Sequence, residues 1–335
     1  MVSGSVPPKQ FVFEVSPETP IERLDAFLSK QTEELSRSRV KSLIANGCVS
    51  VTPASQKAIK ASMMIASGQT WVIELPPAQA SDLVPEELPL SILYEDEDII
   101  VVNKAAHMVV HPGAGQPQGT LANALRFHFP DIQIGDAQRP GLVHRLDKET
   151  SGVMVVARNA HAHRVLSEAF AHREIQKKYL AFCYGRPKSV QFSLQTGHLR
   201  HDKDRRRYNT RLPPPEADDE MVRFAHTDFH VQGFAHGVSL VEAVLHTGRT
   251  HQIRAHLADH GHPILMDAIY GGLKPEKRIG QSPVRQAAVR LERQALHAAV
   301  LGFKHPKSGE NCRFEAPCPE DLLPLQKAIL DANSL

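Results

Sequence analysis

An α+β protein built from two units is what this sequence predicts, and three observations predict it. From about residue 90 onward, apolar strand patterns and amphipathic helix patterns intermix irregularly. A shorter stretch ahead of them carries two helical and two strand patterns of its own. Between the two lies an acidic, proline-punctuated segment, Pro76 to Pro89, which reads as a linker. The alternation is too irregular for a dinucleotide-binding sheet or a barrel of βα repeats. At 335 residues the chain has the length of two domains. The expected division is a tail over 1–15, a small unit over 16–75, the linker over 76–89 and a large unit over 90–330.

The elements follow in order. Thr19-Pro20-Ile21-Glu22 combines an N-cap residue, a proline suited to the first helical turn and a capping-box glutamate. Ile21, Leu24 and Leu28 then recur at helical spacing. A second helix is expected from Ser36 to Gly47, burying Val40, Leu43 and Ile44. Its first turns carry Arg37, Arg39 and Lys41, the wrong sign for a helix N-terminus. Either these cations contact phosphate or they are a tolerated surface run. Short strands are expected at Cys48–Thr52 and Thr70–Leu75. In the larger unit Ile99–Val102 and Gly152–Ala157 read as buried strands, and Asn159 as the cap of a helix carrying Val165, Leu166 and Phe170. Leu240–Leu245 reads as another strand. Thr250 is placed to cap a helix ending at Gly261, and Leu322, Leu323, Leu325 and Ile329 mark a final helix.

Composition excludes several classes. The net charge is only +2, with 41% hydrophobic and 23% charged residues, as in ordinary soluble domains. Charge is nevertheless unevenly spread. Residues 61–100 hold no Lys or Arg, whereas Arg200, Lys203, Arg205, Arg206, Arg207 and Arg211 crowd together, enough for a local basic face. Four cysteines without a Cys-x-x-Cys pair suggest neither a disulfide scaffold nor a zinc ribbon. The first ten residues lack a signal-peptide core. No apolar run approaches the roughly 20 residues that span a bilayer, so no membrane partner and a cytoplasmic location are expected. The glycines at 113, 115 and 119 have the wrong spacing for a dinucleotide fingerprint, and no phosphate-binding Walker loop occurs.

The densest chemistry lies in Arg139-Pro140-Gly141-Leu142-Val143-His144-Arg145-Leu146-Asp147-Lys148-Glu149-Thr150-Ser151-Gly152. A polar loop opens here into a buried strand, the kind of rigid support on which active-site loops sit. In extended chain Arg145 and Asp147 project to one side. On residues alone this is either a catalytic loop or an ordinary loop ion pair.

The run resembles the His-Arg-Leu-Asp-x-x-Thr-Ser-Gly signature of RluA-type pseudouridine synthases and matches it at every fixed position. Similar blocks follow in order: Lys177-Lys178-Tyr179, the stretch Leu245 to His256 containing Gly248-Arg249-Thr250-His251-Gln252-Ile253-Arg254, Gly261 to Ile264, Asp267 to Gly271, Leu296-His297-Ala298 and Phe303 to Pro306. Arg23-Leu24-Asp25, with Ser38-Arg39 and Asn46-Gly47, resembles an S4 RNA-binding domain. One departure stands out: Lys104-Ala105-Ala106-His107 replaces a Lys-Pro-x-Gly turn, so a different backbone preference is expected there.

The resemblance implies a mixed, largely antiparallel-sheet catalytic domain with a small N-terminal α/β S4-like domain. It implies isomerisation of uridine to pseudouridine in structured RNA, with large-subunit ribosomal RNA favoured, transfer RNA as the alternative, and a noncatalytic RNA-binding protein as the remaining one. In that reaction the C1′–N1 bond breaks and the ribose rejoins through C5. Nothing is oxidised and no group is consumed, so no cofactor and no metal are expected. Asp147 would be the essential carboxylate, acting at C1′, at C6 or toward a glycal. A carboxylate in a desolvated site needs a cation nearby to stay ionised, and Arg254 would supply it. Tyr179 would stack on the base and help remove the C5 proton. Ile253 would pack on the other face, with His144 and Thr150 completing the substrate contacts. Arg145 would enter the gap left when the uridine is extruded, which costs a few kcal/mol. Arg37, Arg39, Lys41, Arg205 and Arg206 would bind RNA, and a monomer is expected. A metal-dependent hydrolase using His251, His256, His260 and His262 with Asp259 or Asp267 lacks a His-Glu-x-x-His motif.

Overall fold

The computed structural model describes residues 10–32, 35, 37–54, 58–75, 83–113, 115–132, 134–136, 139–216 and 221–332. The expected helix start at Ser36, much of the linker and the acidic run Asp218-Asp219-Glu220 fall outside the described residues.

The first unit pairs β1 (Gln10–Glu14), β2 (Val49–Thr52) and β3 (Thr70–Glu74), with β3 central and both pairings antiparallel. Helices α1 (Leu24–Lys30) and α2 (Arg37–Ala45) contribute Leu24, Phe27, Leu28, Val40 and Leu43 to a core closed by Trp71 and Ile73. Two expectations need correction. Residues 10–14 are not a tail, since Phe11 pairs with Ile73 and Phe13 with Trp71. The first helix does not start at Pro20. Leu24 N–H donates to the Met63 carbonyl and Ile65 N–H to that of Glu22, so the backbone around Arg23 bridges to Met64 in extended conformation and the helix begins only at Leu24. Ile21 is left 76% exposed. Tertiary pairing has overridden a local capping signal.

The cations at the start of α2 have an intrachain partner. The Asp25 carboxylate is fully buried and accepts from Arg37 Nε at 3.1 Å and Arg23 Nε at 3.0 Å, with Lys41 Nζ 3.5 Å away. The Arg23 hydrogen bond, with Arg37 behind it, holds this carboxyl well below the usual range. Arg37 and Lys41 remain about half exposed, at 52% each.

The larger unit runs β4 (Ser91–Glu95), β5 (Ile99–Lys104), α3 (Leu121–His128), β6 (Gly135–Asp136), β7 (Arg139–Pro140), β8 (Ser151–Ala157), α4 (Ala160–Ala171), β9 (Gln176–Tyr184), β10 (Gln191–Arg200), β11 (Tyr208–Leu212), β12 (Arg223–Ala235), β13 (Val238–Leu245), α5 (Gln252–Asp259), α6 (Pro275–Arg278), α7 (Pro283–Ala288), β14 (Leu296–Lys304), β15 (Asn311–Glu315) and α8 (Leu323–Asp331). Among the described residues one ten-stranded sheet runs β11-β10-β12-β13-β9-β14-β8-β5-β4, with β15 beside β14. Every pairing in it is antiparallel except β14 with β8.

Strand β8 explains the layering. All seven of its residues are buried, so both faces are covered. Val153 and Val155 pack toward α4, while Met154 and Val156 pack toward α3, the period-2 alternation of a strand. Asn159 caps α4 as expected, its side chain accepting from Ala162 N–H at 2.9 Å. Residues 83–89 belong to this unit rather than to a free linker. Leu83 is buried, Asn123 donates to the Val84 carbonyl, and Glu86 accepts from Gly119 N–H.

Candidate active site

Four adjacent strands, β13, β9, β14 and β8, meet the loop that precedes β8 and the loop that leads into α5. A pocket of about 120 Å³ lies at that junction, and its lining includes Arg145, Asp147, Thr150, Tyr179, Ile253 and Arg254. Six of the seven catalytic and substrate-contacting residues expected from sequence therefore share one cavity.

Its electrostatic centre is a chain of three charges. Arg254 is 5% exposed and donates through NH1 to Asp147 Oδ2 at 2.9 Å. The opposite edge of the guanidinium forks onto Asp267, with Nε to Oδ2 at 2.7 Å and NH2 to Oδ1 at 3.0 Å. Asp267 is wholly buried, and its Oδ1 also accepts from Ile269 and Tyr270 N–H. A bidentate fork fixes the plane of a guanidinium, and that plane aims NH1 at Asp147. Asp147 retains 21% exposure of its side chain, so it faces the cavity. His251 lies beside it, Nε2 3.9 Å from Oδ1, and its Nδ1 is 3.3 Å from the Tyr270 hydroxyl.

The loop before α5 is held from beneath. Gln252 accepts from the Thr247 hydroxyl at 2.7 Å and from Arg249 N–H at 3.0 Å, and its amide donates to the His226 carbonyl and the Thr227 hydroxyl. His256 bridges Thr227 and Thr196. Thr250 does not cap the helix. The N-cap residue is His251, in the left-handed region at φ 57°, with no side-chain capping bond. The Thr250 carbonyl instead lies 3.0 Å from His198 Nε2, which pins the turn to β10.

Tyr179 is partly buried, and burial together with the nearby Asp147 charge pushes its phenol well above the ordinary value. Its ring forms part of the pocket lining beside Asp147. Thr150 is buried and accepts from Gln294 Nε2 at 2.9 Å. His144 is not among the lining residues. Its ring stacks on Phe170 at 4.5 Å, and Nε2 accepts from Val155 N–H at 3.0 Å. Burial and the charge of Lys177 depress this imidazole to about 3, which fits a structural acceptor. Arg205 and Arg206 sit in the β10–β11 turn, both exposed, Arg206 against Asp204 at 3.1 Å.

The Lys-Ala-Ala-His departure keeps a tight turn by placing His107 in the left-handed region at φ 65°, with its ring paired to Glu149. Buried Lys104 ties the turn to the Asp147 loop, donating to the carbonyls of Ala105, Met108 and Lys148 at 2.7, 2.8 and 3.2 Å. Sequence reasoning missed the roles of Lys104 and Asp267. For Asp267 the available signal was its place at the head of the matching block Asp267 to Gly271.

Among the described residues two clusters hold metal-type donors within 4.8 Å of one another, His226–Asp228–His246 and Asp96–Asp98–His305. Neither contributes to the pocket lining. The histidines and acids considered for a hydrolase are engaged otherwise: Asp259 accepts from Thr210 and Arg211, and His260 stacks on Phe192.

Comparison with known proteins bears on this geometry. The family described as RNA pseudouridylate synthase matches residues 98–259. A protein of Aquifex aeolicus named uncharacterized RNA pseudouridine synthase is 39% identical over 310 residues, covering 92% of this chain and 94% of its own. A Zymomonas mobilis protein named ribosomal large subunit pseudouridine synthase D is 39% identical over 315 residues, covering 93% and 95%. The solved structure of human RNA pseudouridylate synthase domain containing 1 superposes with a TM-score of 0.52 at 27% identity, over 72% of this chain and 86% of that one. With its mixed, mostly antiparallel sheet and near full-length likeness to these relatives, the chain belongs to the RluA-type RNA pseudouridine synthase family.

Proposed function

We propose that this enzyme converts specific uridines of large-subunit ribosomal RNA to pseudouridine, with Asp147 as the residue on which bond cleavage depends. The observation that carries the reading is the Asp147–Arg254–Asp267 chain opening into a small pocket beside Tyr179. Several relatives named ribosomal large subunit pseudouridine synthase D, 37–39% identical, support the choice of RNA.

The target uridine leaves its stack and enters the pocket, with Arg145 filling the gap; a guanidinium can stack on bases and contact phosphate. Tyr179 and Ile253 hold the ring from two sides. Asp147, kept ionised by Arg254, acts at the sugar or base while C1′–N1 breaks. The uracil turns, C5 bonds to C1′, the C5 proton is lost and N1 gains one. No external reactant enters the balance. Residues up to 75 act as an S4-like RNA-binding domain, with the exposed portions of Arg37, Arg39 and Lys41 toward phosphate, and Arg205 and Arg206 add a second basic contact. The enzyme works as a cytoplasmic monomer. Among the described residues no helix is long and apolar enough to cross a membrane.

The test is Asp147→Ala. Pseudouridine formation in ribosomal RNA is expected to vanish while RNA affinity is kept, and product formation at the wild-type rate would refute the role of Asp147. Mapping pseudouridines in a deletion strain identifies the RNA; loss of sites in transfer RNA alone would overturn the ribosomal assignment.

A further inference from the structure

Lys177 is a buried cation without an anion. It is 8% exposed on β9, and among the described residues no carboxylate pairs with it. A buried ammonium without a counter-charge is costly, so its persistence calls for a partner that arrives from outside. The direction it faces identifies where. Successive side chains alternate along a strand, so Lys177 and Tyr179 share a face about 6.8 Å apart, and Tyr179 is a wall of the pocket. A Cβ added to Gly248, an exposed residue of the pocket lining, would stand 3.8 Å from Lys177 Nζ. The ammonium therefore lies between the Phe170 ring, 6.0 Å from its centroid, and Gly248 at the rim of the pocket.

Two further cations converge there. Arg173 lies over the Phe224 ring at 5.6 Å, and Arg249 Nε donates to the Phe224 carbonyl at 2.9 Å. Arg173 follows α4 at φ 64°, in the left-handed position after a helix end where glycine is the residue without strain. An exposed arginine at such a position is consistent with a use for its side chain. Burial and the charge of Arg173 lower the Lys177 ammonium to about 8, a sign that the local field lacks negative charge.

We propose that Lys177, flanked by Arg173 and Arg249, binds a phosphodiester of the RNA strand next to the target uridine, one nucleotide's reach from the base held against Tyr179. This rests on the reading of the pocket as the uridine site. Lys177 thereby fixes the ribose–phosphate while the base turns, which is what re-bonding through C5 requires of the sugar.

The experiment measures Kd and pseudouridine formation together, on a synthetic stem–loop of large-subunit ribosomal sequence that contains a modified uridine. Lys177→Met matches the stem length without charge, and Lys177→Arg restores it. Lys177→Met is expected to weaken binding about ten- to hundred-fold and to flatten the log Kd against log salt slope by roughly 0.7–0.9, with folding checked by thermal melting. Lys177→Arg is expected to recover most of the affinity. Replacing one linkage flanking the uridine by a neutral methylphosphonate should weaken the wild type at least as much as Lys177→Met does, and should weaken Lys177→Met much less, by only what Arg173 and Arg249 contribute. If neither flanking linkage couples to Lys177 and the salt slope is unchanged, the phosphate assignment is overturned. Coupling in Kd without any pseudouridine product would uphold it and overturn the proposed function instead.

Discussion

Asp267→Asn separates the residue that aims the catalytic pair from the pair itself. Asp267 touches no part of the cavity, yet it takes two charge-assisted hydrogen bonds from Arg254, at 2.7 and 3.0 Å. An amide can keep its oxygen toward Ile269 and Tyr270 N–H, but its NH2 then opposes the Nε donor. Breaking a buried ion pair from one side costs about 3–5 kcal/mol. The guanidinium, no longer clamped on its Nε edge, can rotate, and NH1 shifts relative to Asp147. A displacement of about 1 Å at a reacting group lowers rate on the order of a hundred-fold. Guanidinium denaturation and single-turnover pseudouridine formation measure the two effects, with kcat expected to fall by about that factor and RNA affinity to change little. The double variant Arg254→Met, Asp267→Asn removes the orphaned charge, so part of the stability should return while activity stays lost. Stability within about 0.5 kcal/mol of wild type in Asp267→Asn, with an unchanged kcat, would refute the clamp.

Gly152→Ala should destabilise by about 3–5 kcal/mol, because at φ 124° an added Cβ would stand 2.1 Å from the Ala298 carbonyl oxygen across the parallel β8–β14 contact; urea unfolding measures it, and a loss under 1 kcal/mol contradicts the packing. His144 adds a pH dependence. Its folded pKa is about 3 against 6.5 unfolded, so between these values only the unfolded chain binds the proton. Its contribution is complete above about pH 6.5 and is lost as pH falls toward 3, at about 1.4 kcal/mol per pH unit; His144→Gln should flatten that acid limb, and identical pH–stability curves would refute it. Neutralising Arg37 and Arg39 together should weaken RNA binding and reduce its salt slope, with melting curves reporting the extra loss from leaving Asp25 short of one partner; unaltered affinity and slope would remove these residues from the interface.

The strands and the pocket residues were legible because their signals are local or carried by ordered blocks. The apolar run at Ile99–Val102 and the polar-to-apolar switch at Thr150–Val153 specify buried strands by residue type alone. Asp147, Tyr179 and Arg254 were legible only through blocks spread over a hundred residues. What escaped was decided by contacts distant in sequence. The Thr19–Glu22 cap lost to backbone pairing with residues 63–65, and the α2 cations turned toward Asp25, which no charge count foretells. His144, adjacent to Arg145 in the motif, points away from the pocket because alternate residues of an extended segment face opposite sides. Asp267 and Lys104 were invisible as site-builders, since each acts through another residue.

Arg254 reaches Asp147 across 107 residues, and Ser151 meets His297 across 146. Contacts so far apart in the chain form late and together, because a large loop must close before any of them is rewarded. A chain emerging from synthesis carries its aspartate long before its arginine. The site is therefore complete only once β14 lies beside β8 and α5 brings Arg254 to Asp147. Fragments ending before α5 are expected to be catalytically silent, so the RNA meets either a finished enzyme or none.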